Sequence, residues 1–327
     1  MGTRRYVIGK IAQAFLTLWF VLTFNFFLFR LLGDPSDILR GTAAYNPDNI
    51  EEVREEQGLD KPVVEQYVIY MKNVFTGNYG DSFFLQGQKV TEVVADHLWP
   101  TLLLVGTSTI LSAIFGILIG IYGGWKRGSR FDVGSLGFTL FAYSMPEYWF
   151  GILVLMAFGS GVGFFPAIFP INGYETINAG YTGLAHVLDV AEHMAMPLFV
   201  LTIAYLGEYS LIMRSSLLDV MADDFVQTAR AKGLREKKVL WRHVVPNALL
   251  PTFTIVVLSL GFIFAGAITV EYVFGWTGLG WLSVQAVDSK DLQLLQALFL
   301  LFSAAVIIAN LIADLLYGYL DPRVRAR

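Results

Sequence analysis

The stretch from Asp223 to Pro251, DDFVQTARAKGLREKKVLWRHVVPNALLP, puts acids, then bases, then prolines between two long apolar runs. Asp223 is a good N-cap, and Asp224 adds a second negative charge in the first turn of a helix. Phe225 to Lys232 then makes barely two turns, with Arg230 and Lys232 near the end and Gly233 at the position that favours a left-handed backbone. So short a helix is not stable alone in water, so something must pack on it. A second short helix, Arg235 to Val245, is expected to follow, with Pro246 and Pro251 breaking the path beyond it. The bases could meet anionic lipid headgroups. The small Ala229 and Gly233, four apart, point instead to close approach by another protein.

The surroundings of the stretch are a membrane protein. Of 327 residues, 55% are hydrophobic and 15% charged, and mean hydropathy is +0.56; a soluble domain carries about 25% charged residues. Six segments are apolar and long enough to cross a bilayer, which takes roughly 20 residues. They lie near Ile11–Phe29, Pro100–Gly124, Val133–Gly159, Met194–Met213, Leu249–Val270 and Leu292–Tyr317. The first is too long for a signal-peptide core and reads as a retained span.

Lysine and arginine set the orientation. Of the 23, 16 lie before the first span, between the second and third, between the fourth and fifth, or after the sixth, and none occurs from Phe131 to Met213. Both termini are therefore expected in the cytoplasm, with 33–98, 160–193 and 271–291 outside. The expected division is 1–32 as N-terminus and first span, 33–98 as an outer insertion, and 99–327 as a five-span core holding the short helix at about 223–233.

The insertion carries 12 acids against 5 bases. Asn46, Pro47 and Gly58 bracket one expected helix. Val64, Tyr67, Val68, Met71 and Val74 share the face of a second. The insertion is either a helical cap on the membrane or a platform for an outside partner. In the second span, Ser112, Gly116, Gly120 and Gly124 form a stripe that lets helix backbones come close, either within the chain or across a dimer.

Much chemistry is excluded. There are no cysteines, so thiol nucleophiles, disulfides and iron–sulfur clusters are ruled out. A net charge of −4 argues against nucleic acid as a partner. No phosphate-binding G-x-x-x-x-G-K-[ST] loop is present, and no pair among His97, His186, His193 and His243 has HExxH spacing. Glu147, Glu208 and Asp314 fall inside expected spans, where a carboxylate must face protein or a wet cavity. A straight third span would put Glu147, 15 residues beyond Asp132, about 22 Å into the membrane. It either pairs with a neighbouring Tyr or Trp or meets cationic groups of a cargo.

DFVQTARAKGL with RHVVPNALLP resembles the coupling-helix region in permeases of the dipeptide/oligopeptide branch of ABC importers. The resemblance extends through RLLGDP, GLDKP and NYGDSF to KRGSRFD, SMPEYWFG, FGWTGLG and DLLYGYLDPRVR, in that order. Pro246 and Thr277 depart from the family pattern, and Glu147 stands where an apolar residue is usual. The resemblance implies an all-α, multi-pass protein of the cell membrane with six transmembrane helices. It implies a pore shared with a second homologous permease, driven by two cytoplasmic ATPase subunits and fed by an extracytoplasmic substrate-binding protein. ATP and Mg would be bound by the ATPases and no cofactor by this chain, which would not itself be an enzyme. Asp223, Asp224, Ala229, Arg230, Lys232 and Gly233 would form the ATPase-coupling helix, with Ala229 permitting close approach. Relatives of this kind carry di- and oligopeptides, nickel complexes or short oligosaccharides. An ion-coupled secondary transporter is the rival class, although no inverted repeat is visible. A membrane receptor or scaffold using the acidic outer segment is a third, and it leaves the coupling-helix pattern unexplained.

Overall fold

The structure, a computed structural model, describes residues 3–31, 54, 58–82, 84–85, 87–161 and 166–320. Five helices are long and apolar enough to cross a membrane: Arg4–Leu31 (α1), Val90–Trp125 (α3), Leu184–Met221 (α6), Glu236–Phe262 (α8) and Leu292–Leu316 of the last helix (α11). Arg130–Ser144 (α4) and Glu147–Gly159 (α5) form a sixth candidate, bent by 100° between them. The shorter helices are α2 (Val63–Thr76), α7 (Asp224–Ala231), α9 (Ile268–Val273) and α10 (Leu279–Asp288).

Two compact units divide the chain. The first comprises Met1–Thr101, Phe264–Ile268 and Thr277–Arg327. Here α1 pairs with α11, and Lys10 meets Asp314 at 2.9 Å while the Tyr6 hydroxyl donates to the Asp314 carbonyl. Higher on α1, Phe26 packs edge-on against Tyr67 of α2. The core gathers Val90, Val93, Leu279, Leu282, Leu294 and Leu298. A two-residue antiparallel ladder, Asp81–Ser82 with Gln88–Lys89, leads into α3. Asp291 fastens it: its carboxylate accepts from Ser82 Oγ (2.7 Å), Phe84 N (3.1 Å) and Leu294 N (3.0 Å), so one residue both caps α11 and holds the NYGDSF turn.

Helix α2 forms where expected, but its buried face differs. Val64 and Val68 are exposed and Gln66 is buried, its amide donating to the carbonyls of Leu59 and Lys61. Asn46 and Pro47 lie outside the described residues. Helix α3 starts at Val90, inside the expected insertion, and runs through Pro100 without interruption.

The second unit comprises Leu102–Ile263 and Thr269–Trp276. Its centre is α6, whose 38 residues reach about 57 Å, well beyond a hydrocarbon core of about 30 Å. The small-residue stripe of α3 packs here, inside the chain. Ser112 Oγ donates to the Thr202 carbonyl, and a Cβ at Gly116 or Gly120 would sit 2.8 Å or 2.6 Å from backbone oxygens of α6.

Three expectations about breaks change. The third span is not one straight helix. Met145, preceding Pro146, is extended (φ −84°, ψ 128°), as proline's ring demands, and a new helix starts at Glu147. Pro246 and Pro251, by contrast, break nothing: Glu236 to Phe262 is one helix, not a short helix followed by a span. A π-turn at Leu240–Val244, closed by Val245 N–H to the Leu240 carbonyl, widens the turn ahead of Pro246 and absorbs its missing donor. The fifth span ends at Phe262, short of the expected Val270, where a 3-10 turn leads to Gly266 at φ +71°.

Candidate functional site

The eight-residue α7 follows α6 after Ala222 and Asp223. Asp223 has extended N-cap geometry and its carbonyl accepts from Val226 N, yet its side chain makes no capping bond. The other end is more tightly built. Gly233, at φ +73°, donates to the Arg230 carbonyl, and Leu234 N reaches the Ala229 carbonyl at 3.4 Å. This pair of bonds is the Schellman motif that a C′ glycine permits, and Leu234 completes it by packing on the core.

The faces of α7 separate cleanly. Val226 and Ala229 are buried among Met213, Leu217, Val239 and Val244. Ala229 is therefore turned inward, and its smallness serves packing against this chain's own helices, not approach by a partner. Arg230 is also engaged internally, 3.3 Å from Glu236 and with its guanidinium 5.7 Å from the Trp125 ring centre. Asp224, Phe225, Gln227, Thr228 and Lys232 face outward. Phe225 is 42% exposed, and reading by residue type alone missed it. Helical phase was the available signal, since the i, i+3 pair Val226 and Ala229 defines the inner face and leaves Phe225 off it.

Glu147 stands apart from this group, at the first turn of α5. A carboxylate is favoured there by the partial positive charge of a helix N-terminus. It is half-buried, and Tyr205 of α6 lies within electrostatic reach of both Glu147 and Glu271. Gly151, one turn further on, lets the Phe274 ring come close, since an added Cβ would lie 3.3 Å from it. The 100° bend removes the basis of the straight-helix depth for Glu147. Among the described residues no cluster of His, Asp and Glu is arranged to hold a metal ion.

Comparison with known proteins gives a consistent picture. The family model described as binding-protein-dependent transport system inner membrane component matches residues 116–326. The model for the N-terminal part of such membrane components matches residues 3–104. A di/tripeptide transport system permease protein of Pseudomonas aeruginosa is 34% identical, over 94% of this chain and 95% of its own length. An oligopeptide transport system permease protein of Bacillus subtilis is 34% identical, over 89% of this chain and 90% of its own length. A dipeptide transport system permease protein of Escherichia coli is 34% identical, over 93% of each.

Proposed function

Because the chain belongs to the family of binding-protein-dependent transport system inner membrane components, we propose that it forms half of a membrane pathway for di- or oligopeptides. The other half comes from a second, homologous permease. Two cytoplasmic ATPase subunits supply the energy and bind ATP and Mg, and an extracytoplasmic binding protein delivers the cargo. Peptide cargo is supported by the names of the three relatives. The distribution of lysine and arginine supports cytoplasmic termini, with the segment from 33 to the start of α3 outside.

One observation carries the mechanical part of the reading. Helix α7 is locked to its own core along one face and by its Schellman end, while the opposite face stays free. Asp223, Asp224, Lys232 and the exposed Phe225 offer charge and one aromatic ring to an ATPase groove. Val226 and Ala229 pack the helix onto α6 and α8, Arg230 reaches Glu236 and the Trp125 ring, and Gly233 closes the helix end. A stroke applied to the free face is then passed to two long helices instead of being lost in a hinge.

The test uses the whole assembly reconstituted in vesicles. Phe225→Ala should lower both transport and cargo-stimulated ATP turnover while leaving the permease's unfolding midpoint unchanged. Wild-type transport by that variant, with the ATPases bound at wild-type affinity, would overturn the reading.

A further inference from the structure

In the first unit a cavity of about 90 Å³ lies between the end of α1, one face of α2, the Asn78–Gly80 turn and the start of α11. That is several times the roughly 10–15 Å³ needed to admit one water. Gln66, Asn73, Gln293 and Gln296 line it, with Tyr70 and Arg30.

Its hydrogen-bonding groups are unevenly matched. Oε1 of Gln293, a residue 3% exposed, has no partner. Asn25, fully buried and outside the cavity lining, supports the wall by donating from its amide nitrogen to the Tyr70 hydroxyl (3.2 Å) and the Gln296 carbonyl (3.4 Å). Buried amide oxygens are rarely left empty, and Gln293 Oε1, on the cavity wall, calls for a donor. Burial pushes the Tyr70 phenol up to about 12, so it keeps its proton. Arg30, exposed at the rim, has no carboxylate partner among the described residues.

The lining thus offers one buried acceptor and one exposed guanidinium. A molecule with N–H donors at one end and a carboxylate at the other matches both. We propose that this cavity binds a small α-amino-acid zwitterion, its ammonium donating to Gln293 Oε1 and its carboxylate held at Arg30. The site belongs to the first unit alone and does not depend on which cargo is transported. Ammonium and guanidinium pairings of this kind are charge-assisted, which is what lets so small a ligand bind.

The full chain, purified in lipid nanodiscs, is titrated calorimetrically with glycine, L-alanine, methylammonium, acetate and diglycine. Glycine or alanine should bind saturably, with methylammonium and acetate at least tenfold weaker. Gln293→Met keeps the bulk and removes the acceptor, and should weaken glycine binding tenfold or more. Arg30→Gln, at an exposed position, should abolish the preference for glycine over methylammonium. Wild-type affinity in both variants, or an equal and unsaturable response to all probes, overturns the proposal and leaves ordered water as the occupant. Binding of diglycine without binding of the amino acids also overturns it, in favour of a peptide terminus.

Discussion

Arg214 grips Asp132 through two charge-assisted hydrogen bonds, Nε to Oδ1 at 2.6 Å and Nη2 to Oδ2 at 3.0 Å. Oδ2 also accepts from Gly128 N at 2.8 Å, and Ser129 Oγ caps the same helix by accepting from Asp132 N. The KRGSRFD segment is thus a turn built around one carboxylate, and that carboxylate ties α4 to α6. Arg214 stands only nine residues before Asp223, so the clamp fixes the part of α6 from which α7 departs.

Asp132→Ala should destabilise the fold by about 3 kcal/mol, because it strands a largely buried guanidinium. Arg214→Lys keeps the charge but cannot form the fork, and should fall between that variant and wild type. Chemical unfolding of the purified chain in detergent measures both. Equal midpoints for Asp132→Ala and wild type would show that the pair contributes nothing.

Gly120→Ala should lower stability by about 1–3 kcal/mol, as overpacking does. The new methyl would meet the Ser210 carbonyl at 2.6 Å and the Met213 Cβ at 2.8 Å, and backbone cannot yield as a flexible side chain can. Gly106→Ala on the same helix meets nothing within 4 Å and should be neutral or slightly stabilising. Similar losses at both positions, read as unfolding midpoints, would remove close packing as the role of the stripe.

Local signals carried much of the fold. Apolar length marked the five long helices and the bent pair α4–α5, and Asp223 to Gly233 announced α7 because caps and left-handed glycines are decided by a few neighbouring residues. The prolines show where local reading stops. Pro146 ends a helix and Pro246 does not, although each follows a residue able to continue a helix. Room for a π-turn ahead of Pro246 depends on how Val239, Leu240 and Val244 pack, which is a tertiary property. The buried face of α2 was missed for a related reason. In a membrane protein, outward valines such as Val64 and Val68 need not mark a core, and Gln66 is buried by satisfying two carbonyls. The inward turn of Ala229 was hidden too, since small size suits a contact with either side.

Gly233→Val should damage coupling more than Asp223→Ala. Nothing lies within 4 Å of a Cβ at Gly233, so the loss is backbone strain alone, about 1 kcal/mol or more for a β-branched residue at φ +73°. Asn at 233 tolerates that conformation and should stay near wild type. Asp223 makes no side-chain capping bond, so its removal costs the helix itself only a favourable charge near the N-terminus, and takes away one of the several outward charges offered to the ATPase. ATP turnover per cargo transported, measured in vesicles, ranks the three. A stronger defect in Asp223→Ala than in Gly233→Val would mean that the outward charge of Asp223, not the conformation of the helix end, limits coupling.

Glu147→Gln should alter which peptides pass more than how tightly the chain folds. The substitution keeps shape and removes charge at the start of α5, where the helix end itself favours an anion. If the carboxylate meets cargo, an ammonium or guanidinium about 4 Å away gains about 1 kcal/mol at water-like screening, roughly fivefold in rate or affinity. Uptake of lysine-containing peptides should therefore fall about fivefold, with neutral peptides little changed and acidic ones unchanged or faster. The assay compares tripeptides of charge +1, 0 and −1 at equal concentration, with the binding protein saturated so that its own preference does not enter. A uniform loss across the three would assign Glu147 to the support of the bend and of its neighbour Tyr205. A loss confined to the cationic peptide places the carboxylate on the pathway.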